Sequence, residues 1–238
     1  MIELRGGAPT PAVERDDLAR LLILRQAYAE SGPSMPTGDA VPAPVVCSAS
    51  VMFTDIRGFT HLTEKMAHDP AALVDVLNTH LRKVIRSIVI CGGVVEKFMG
   101  DGVMATFGAS GRQPDHVDRA MAAAIGLIGA NEALNRRFAG EWGFRLDVGV
   151  GIATGPVVVA AVGSAERSEL GVLGDPVNVA ARLVTSAGAG EVLMTGAVYE
   201  AVAGLLQSEL TTQSAVRGRS GPLEIYRMSL LGGRGGLL

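Results

Sequence analysis

Apolar positions dominate residues 45–56, VVCSASVMFTDI, almost without interruption. So unbroken a run predicts a central, well-covered β-strand. The next patterned stretch, DPAALVDVLNTHLRKVIRSIVIC, carries a helical period, with Pro70 in its first turn and Gly92-Gly93 closing it. VEKFMGDGVMATFG follows, two β-forming runs flanking Gly100-Asp101-Gly102, which predicts a hairpin. A second long helix is predicted over PDHVDRAMAAAIGLIGANEALNRRF, with Val117, Met121, Ala124 or Ile125, and Ile128 on one face. RLDVGVGIAT and PVVVAAVG read as two strands, and DPVNVAARLVTSA as a helix with Asp175 as N-cap and Pro176 at the first helical position. A short strand, a short helix and two closing strands at ELTTQSAV and LEIYRMSL complete the pattern. The order β-α-β-β-α-β is that of the split βαβ unit. The expected fold class is therefore α+β: a ferredoxin-like antiparallel sheet with its helices packed on one face.

Ahead of this block, PAVERDDLARLLILRQAYAES places Leu18, Leu21, Leu22, Arg25 and Tyr28 at helical spacing. The stretch SGPSMPTGDAVPAP then holds four prolines and two glycines in 14 residues, which is linker composition. The expected organisation is an amphipathic helix and linker over 1–44, a folded domain over 45–230, and a flexible tail over 231–238. A helix this short cannot bury its apolar stripe alone, so it is expected to pack on the domain or on a partner.

With 238 residues, 48% hydrophobic, the chain can build one sizeable core. A net charge of −3 gives no sign of a nucleic-acid partner. Cys47 and Cys91 lack the spacing of a zinc site or a disulfide framework, so a reducing, cytoplasmic compartment is expected. No leader pattern opens the sequence, and no apolar run approaches the ~20 residues of a membrane span. The expectation is a soluble protein.

Several positions carry candidate chemistry. Asp55 ends the first strand and either caps the following helix or binds a ligand. Asp101 is either the aspartate that an Asp-Gly turn prefers or a second ligand carboxylate. In a βαββ unit these two strand ends are neighbours, and two carboxylates held close favour a divalent cation. Oxygen donors without nearby His or Cys point to Mg²⁺ or Mn²⁺ rather than Zn²⁺. Beside such a pair, Ile56-Arg57-Gly58-Phe59-Thr60 is a plausible phosphate cradle, with Gly58 allowing close backbone approach. Lys97, four residues before Asp101, belongs either to a solvated edge or to the site. Asn178 and Arg182 share a helix face among apolar neighbours, serving either a structural ion pair or a substrate's sugar and phosphates. The four histidines, His61, His68, His80 and His116, show no ligand spacing and read as surface or satisfied residues. GVGIATG is followed by a strand where a dinucleotide motif demands a helix, and neither GxxxxGK nor GxSxG occurs.

Together FTDIRGFT, VEKFMGDGVMATFG and LGDPVNVAARL, in this order and at these separations, resemble the catalytic domain of the class III nucleotide cyclases, the adenylate and guanylate cyclases. The resemblance spans roughly Val45 to Leu230. It implies that Asp55 and Asp101 hold two divalent ions, Mg²⁺ or Mn²⁺, with the backbone of Ile56 also touching a metal. It implies that Lys97 reads the purine, Asn178 orients the ribose, Arg182 stabilises charge on the transferring phosphate, and Arg217 serves the terminal phosphates, with Gly58, Phe59 and Thr60 beside the substrate. In the family the site lies between two domains, with the carboxylates on one and Lys97, Asn178 and Arg182 on the other. Carrying both sets, this chain is expected to form a homodimer with two sites and to turn ATP into 3′,5′-cyclic AMP and pyrophosphate. One position departs from the pattern. The second purine-reading position, usually Asp or Thr in adenylate cyclases, is Gly171. Lys97 argues for ATP, and Gly171 leaves room for a guanylate or relaxed-specificity cyclase. A non-catalytic nucleotide-binding dimer of the same fold is the competing class.

Overall fold

The computed structural model describes residues 44–141, 143–163, 168–203, 209–215 and 222–230. The long front strand β1 (Val45–Arg57) is followed by a short helix α1 (Phe59–Lys65) and the long α2 (Pro70–Ile90). The hairpin β2 (Val94–Met99) and β3 (Gly102–Phe107) leads to α3 (His116–Glu141) and β4 (Asp147–Gly163). Then come β5 (Ser168–Leu173), α4 (Asp175–Ser186), β6 (Glu191–Thr195), α5 (Gly196–Val202), β7 (Glu209–Ala215) and β8 (Pro222–Ser229). The expected N-terminal helix, its linker and the tail from 231 on lie outside the described residues.

The sheet runs β2-β3-β1-β4-β6-β8-β7, with β5 on the far half of β4. Its first four strands have the order expected of a split βαβ unit, β3 lying between β1 and β2. All these pairings are antiparallel except β4 with β6, so the sheet is mixed. β1 pairs with β4 along its whole length, from Val45 opposite Val159 to Arg57 opposite Asp147. That ladder carries β4 straight through Gly155-Pro156, where the sequence pattern predicts two separate strands. Proline's fixed φ suits extended backbone, and here the long partner strand overrides the turn signal.

Helices cover both faces, which corrects the one-face expectation. Met52, Val103, Ala105, Phe107, Val150, Ile152 and Met194 pack against α2, α3 and α5. On the opposite face Val45, Cys47, Ala49, Val51, Phe53, Met104 and Val157 pack against Val179, Ala180, Leu183 and Val184 of α4. The near-continuous apolar run of β1 is the cause: each alternate set of side chains has its own core to fill.

α2 begins as the sequence pattern indicates. Asp69 caps it by accepting from Ala72 N at 3.0 Å, Pro70 enters the first turn, and Gly92 (φ 74°) closes it. α4 starts one residue earlier than expected, with Gly174 as N-cap and Asp175 inside the first turn. Between α2 and α3, His80 Nδ1–H donates to Asn131 Oδ1 at 3.1 Å, while Asn135 grips both backbone groups of Leu146 at 2.6 and 3.0 Å. Cys47 and Cys91 are free thiols. Among the described residues no helix is long and apolar enough to cross a membrane.

Candidate active site

β3 ends before β1 does. The last β1–β3 partners are Thr54 and Val103, so the amide of Ile56 runs past its neighbouring strand. The β2–β3 turn supplies the missing acceptor: Asp101 Oδ2 takes the Ile56 N–H at 3.0 Å. Asp101 therefore stands in the turn rather than in register with Lys97 on a strand, as plain alternation suggests. Gly102 makes the approach possible, because a Cβ there lies 2.8 Å from the Thr54 carbonyl oxygen and 3.6 Å from Asp55 Oδ1. A side chain larger than hydrogen pushes the hairpin off β1 and opens the carboxylate pair. Below the pair, the Ile56 side chain anchors in a cluster with Leu62, Met66, Val76, Leu134, Phe138 and Leu146.

Asp55 and Asp101 are thus held together, each half-buried. Burial pushes the Asp55 carboxyl above its ordinary range; Arg57 pulls it back, and the neighbouring Asp101 pushes it further up. Arg57 was not singled out from the sequence. Its Nη2 donates to Asp55 Oδ2, and its Nη1 reaches the carbonyls of Thr185 and Ala187 at 3.4 and 3.3 Å. It ties the strand end to the carbonyl-rich C-terminus of α4, where a cation is favoured. The available signal was its i+2 spacing from Asp55, which puts both on one side of the strand.

Hard oxygen donors fit a divalent cation here: two adjoining carboxylates, one of them raised by the other, and the Ile56 carbonyl on the same strand end. Among the described residues no group of three or more His, Cys, Asp or Glu could hold a metal, and a Mg²⁺-type site needs only one or two carboxylates beside water and substrate phosphates. Next along the chain, Gly58 caps α1 at φ 72°, and Leu62 N donates back to its carbonyl at 3.1 Å. No atom lies within 4 Å of a Cβ at that position, so the glycine answers to the backbone angle and not to crowding. Phe59 is half-buried against the Ile56 cluster, and Thr60 is exposed.

The remaining candidates form a second group. Lys97 Nζ lies 3.8 Å from Glu169 Oε1 of β5, a partner the sequence reading missed, with the two side chains 49% and 63% exposed. Gly171, opposite Ala160 on β4, is half-buried. On α4, Pro176, Val179, Ala180, Leu183 and Val184 are buried, whereas Asn178 and Arg182 are exposed. The expectation that this helix is largely buried is corrected: it is amphipathic, and its i, i+4 pair takes the side opposite the core. Arg217 lies outside the described residues. Three histidines are surface or satisfied, as expected: His61 and His68 are exposed, and His116 Nδ1 pairs with Ser50 Oγ at 2.8 Å; His80 corrects that expectation, for it is buried, meets Asn131 through Nδ1 only, and its Nε2 has no partner among the described residues.

Residues 41–229 match the family described as the adenylate and guanylate cyclase catalytic domain. The chain belongs to this family. Among relatives of this cyclase domain, the terminal-differentiation-specific adenylate cyclase of Dictyostelium discoideum is 33% identical over 213 residues, covering 86% of the chain and 10% of that protein. An adenylate cyclase of Anabaena cylindrica is 36% identical over 138 residues, 56% of the chain and 26% of that protein. The chain therefore spans only a small part of these curated relatives. Among solved structures, the adenylyl cyclase CyaB from P. aeruginosa superposes with a TM-score of 0.74 at 30% identity, covering 78% of this chain and 95% of that one. A crystallised guanylyl cyclase follows at 0.70 and 29%, covering 78% and 93%. These likenesses, to adenylate and guanylate cyclases alike, establish the fold and the cyclase family.

Proposed function

We propose that this chain is an adenylate cyclase, converting ATP to 3′,5′-cyclic AMP and pyrophosphate at sites shared between two copies. The observation that carries the reading is the apposition of Asp55 and Asp101 at the Ile56 amide, in a chain that also bears Lys97, Asn178 and Arg182. Asp55, Asp101 and the Ile56 carbonyl would hold two Mg²⁺ or Mn²⁺ ions, which would supply Lewis acidity at the 3′-hydroxyl and the triphosphate. Asn178 holds the ribose so that its O3′ lines up with the α-phosphorus. O3′ gives up its proton to solvent water and bonds to that phosphorus, while the bond from the α-phosphorus to the bridging oxygen breaks and pyrophosphate departs. Arg182 pairs with the charge on the transferring phosphate, its planar donors matching phosphate oxygens. Gly58, Phe59 and Thr60 lie beside the triphosphate, and Arg217 serves its far end. Lys97 donates to the adenine N1.

Exposure of Lys97, Asn178 and Arg182 in the single chain supports a site completed by a second copy, with Asp55 and Asp101 on the opposing protomer. The test is incubation of the protein with equimolar ATP and GTP and Mn²⁺, followed by chromatography. Cyclic AMP in excess is expected. Cyclic GMP in excess overturns the adenylate assignment alone, and no cyclic product overturns catalysis. Gly171 favours one second reading, a cyclase of relaxed specificity, because bare backbone offers the purine no acceptor side chain there.

A further inference from the structure

We propose that Glu169 reads the purine in this chain, supplying the acceptor that Gly171 lacks. The inference rests on the adenylate cyclase reading and deepens it. Along β5 the side chains alternate. Val172 is buried and Leu170 packs beside it against the α4 core, so Glu169, Gly171 and Leu173 project to the opposite face. Glu169 and Gly171 are therefore neighbours on one side of one strand. Lys97, far away in sequence, comes to that same place, with its ammonium 3.8 Å from the Glu169 carboxylate.

As a fold-holding contact the pair has little to offer. Both side chains are about half exposed or more, at 49% and 63%, and an ion pair in that setting is screened and entropically costly. As a recognition pair it is well matched. The adenine edge presents an acceptor, N1, beside a donor, the 6-amino group; an ammonium beside a carboxylate presents the complement. Guanine offers the reverse order, O6 as acceptor and N1–H as donor, so a Lys-Glu pair fixed in the adenine order sets donor against donor and acceptor against acceptor. At Gly171 the strand has no side chain, and the nearest atom to a Cβ there is Val162 Cγ2 at 3.1 Å. The Val162 side chain thus borders this stretch and leaves little room for a side chain at 171, while Glu169, two residues away on the same face, carries the carboxylate that reaches the base edge.

The experiment is a cycle that deletes each half of the contact. The full chain with Mn²⁺ is titrated with 3′-deoxy-ATP, which lacks the attacking hydroxyl, and with its counterpart lacking the 6-amino group, using wild type and Glu169→Ala. In the wild type, loss of the amino group is expected to weaken binding about tenfold, the worth of one charge-assisted hydrogen bond. Glu169→Ala is expected to bind 3′-deoxy-ATP about tenfold more weakly and to treat the two ligands alike. Glu169→Gln, nearly the same size, keeps an acceptor but gains a donor for O6, so it is expected to lower the ATP preference over GTP in binding. Equal discrimination of the two ligands by wild type and Glu169→Ala, or none by the wild type, overturns the proposal and leaves Glu169 a surface partner of Lys97. Turnover of ATP is followed in parallel. Its absence in the wild type overturns the cyclase reading, while the binding cycle still decides Glu169.

Discussion

Replacing His80 with glutamine isolates one buried ionisation whose cost can be worked through. His80 is fully buried between α2 and α3, with Nδ1–H donating to Asn131 Oδ1 and Nε2 meeting no protein partner. Protonation adds a charge and an unpaired N–H in a dry place, so burial lowers the ring's pKa from 6.5 to about 4 against the weaker pull of Asn131. In the unfolded chain the ring titrates normally. As pH falls below 6.5 the unfolded state takes up a proton that the folded state refuses until about 4, so stability is lost on acidification through that window. From pH 7.5 to 5.5 the loss from this one group is about 1 kcal/mol, rising to about 3 kcal/mol by pH 4. Urea unfolding of wild type and His80→Gln at several pH values measures the difference. Comparing the two proteins cancels the contributions of Asp55, His116 and the surface carboxylates. The variant is expected to lose about 1 kcal/mol less than wild type between pH 7.5 and 5.5. Parallel curves over that interval refute the reasoning.

Asp55→Ala or Asp101→Ala is expected to keep the fold and lose more than about nine-tenths of turnover, since either change misplaces nucleophile and leaving group together; retention of over a tenth by both refutes their assignment. Inactive Asp101→Ala and Arg182→Ala proteins, once mixed and exchanged, are expected to regain close to half the wild-type rate per heterodimer. No recovery despite demonstrated exchange places each site within one chain. Gly102→Ala sets its Cβ against the Thr54 carbonyl, so a loss of about 1–3 kcal/mol in unfolding free energy is expected along with most activity; unchanged stability and rate refute the role given to the close approach.

The elements read most clearly from sequence are those whose pattern is set locally. Pro70 and Gly92-Gly93 bracket α2, the apolar run of β1 marks a central, well-covered strand, and Met121, Ala124 and Ile128 do line the inward side of α3. What sequence could not show depends on register between distant strands. That the Ile56 amide outruns β3 and takes Asp101 as its acceptor follows from which residue pairs with Val103. The partnership of Lys97 with Glu169 depends on where β5 folds back along β4, and the continuity of β4 on the reach of β1. The surroundings of Asn178 and Arg182 were misjudged because apolar neighbours in sequence share a helix without sharing a face.

The carboxylate pair shows how a stable frame keeps an unfavourable arrangement. Asp101 is fixed by accepting from Ile56 N, and Ile56 is fixed by its side chain in the cluster with Leu62 and Val76. Gly102 lies so near the Thr54 carbonyl that the turn seats directly on β1. The Asp55 backbone is held as well, because the end of β1 stays paired with β4, where its partner is Gly149, and Arg57 Nη2 donates to its carboxylate. Separating the charges thus means losing ladder hydrogen bonds and buried apolar contacts, each worth about 1 kcal/mol or more. Relief must come from chemistry rather than movement. A proton provides one form of it, and burial first, with Asp101 adding to it, does raise the Asp55 pKa; a cation provides the other, and within the single chain Arg57 already lends a partial one. Because the sheet resists relaxation, whatever positive charge binds there gains free energy that a floppier pair of aspartates would have lost by drifting apart.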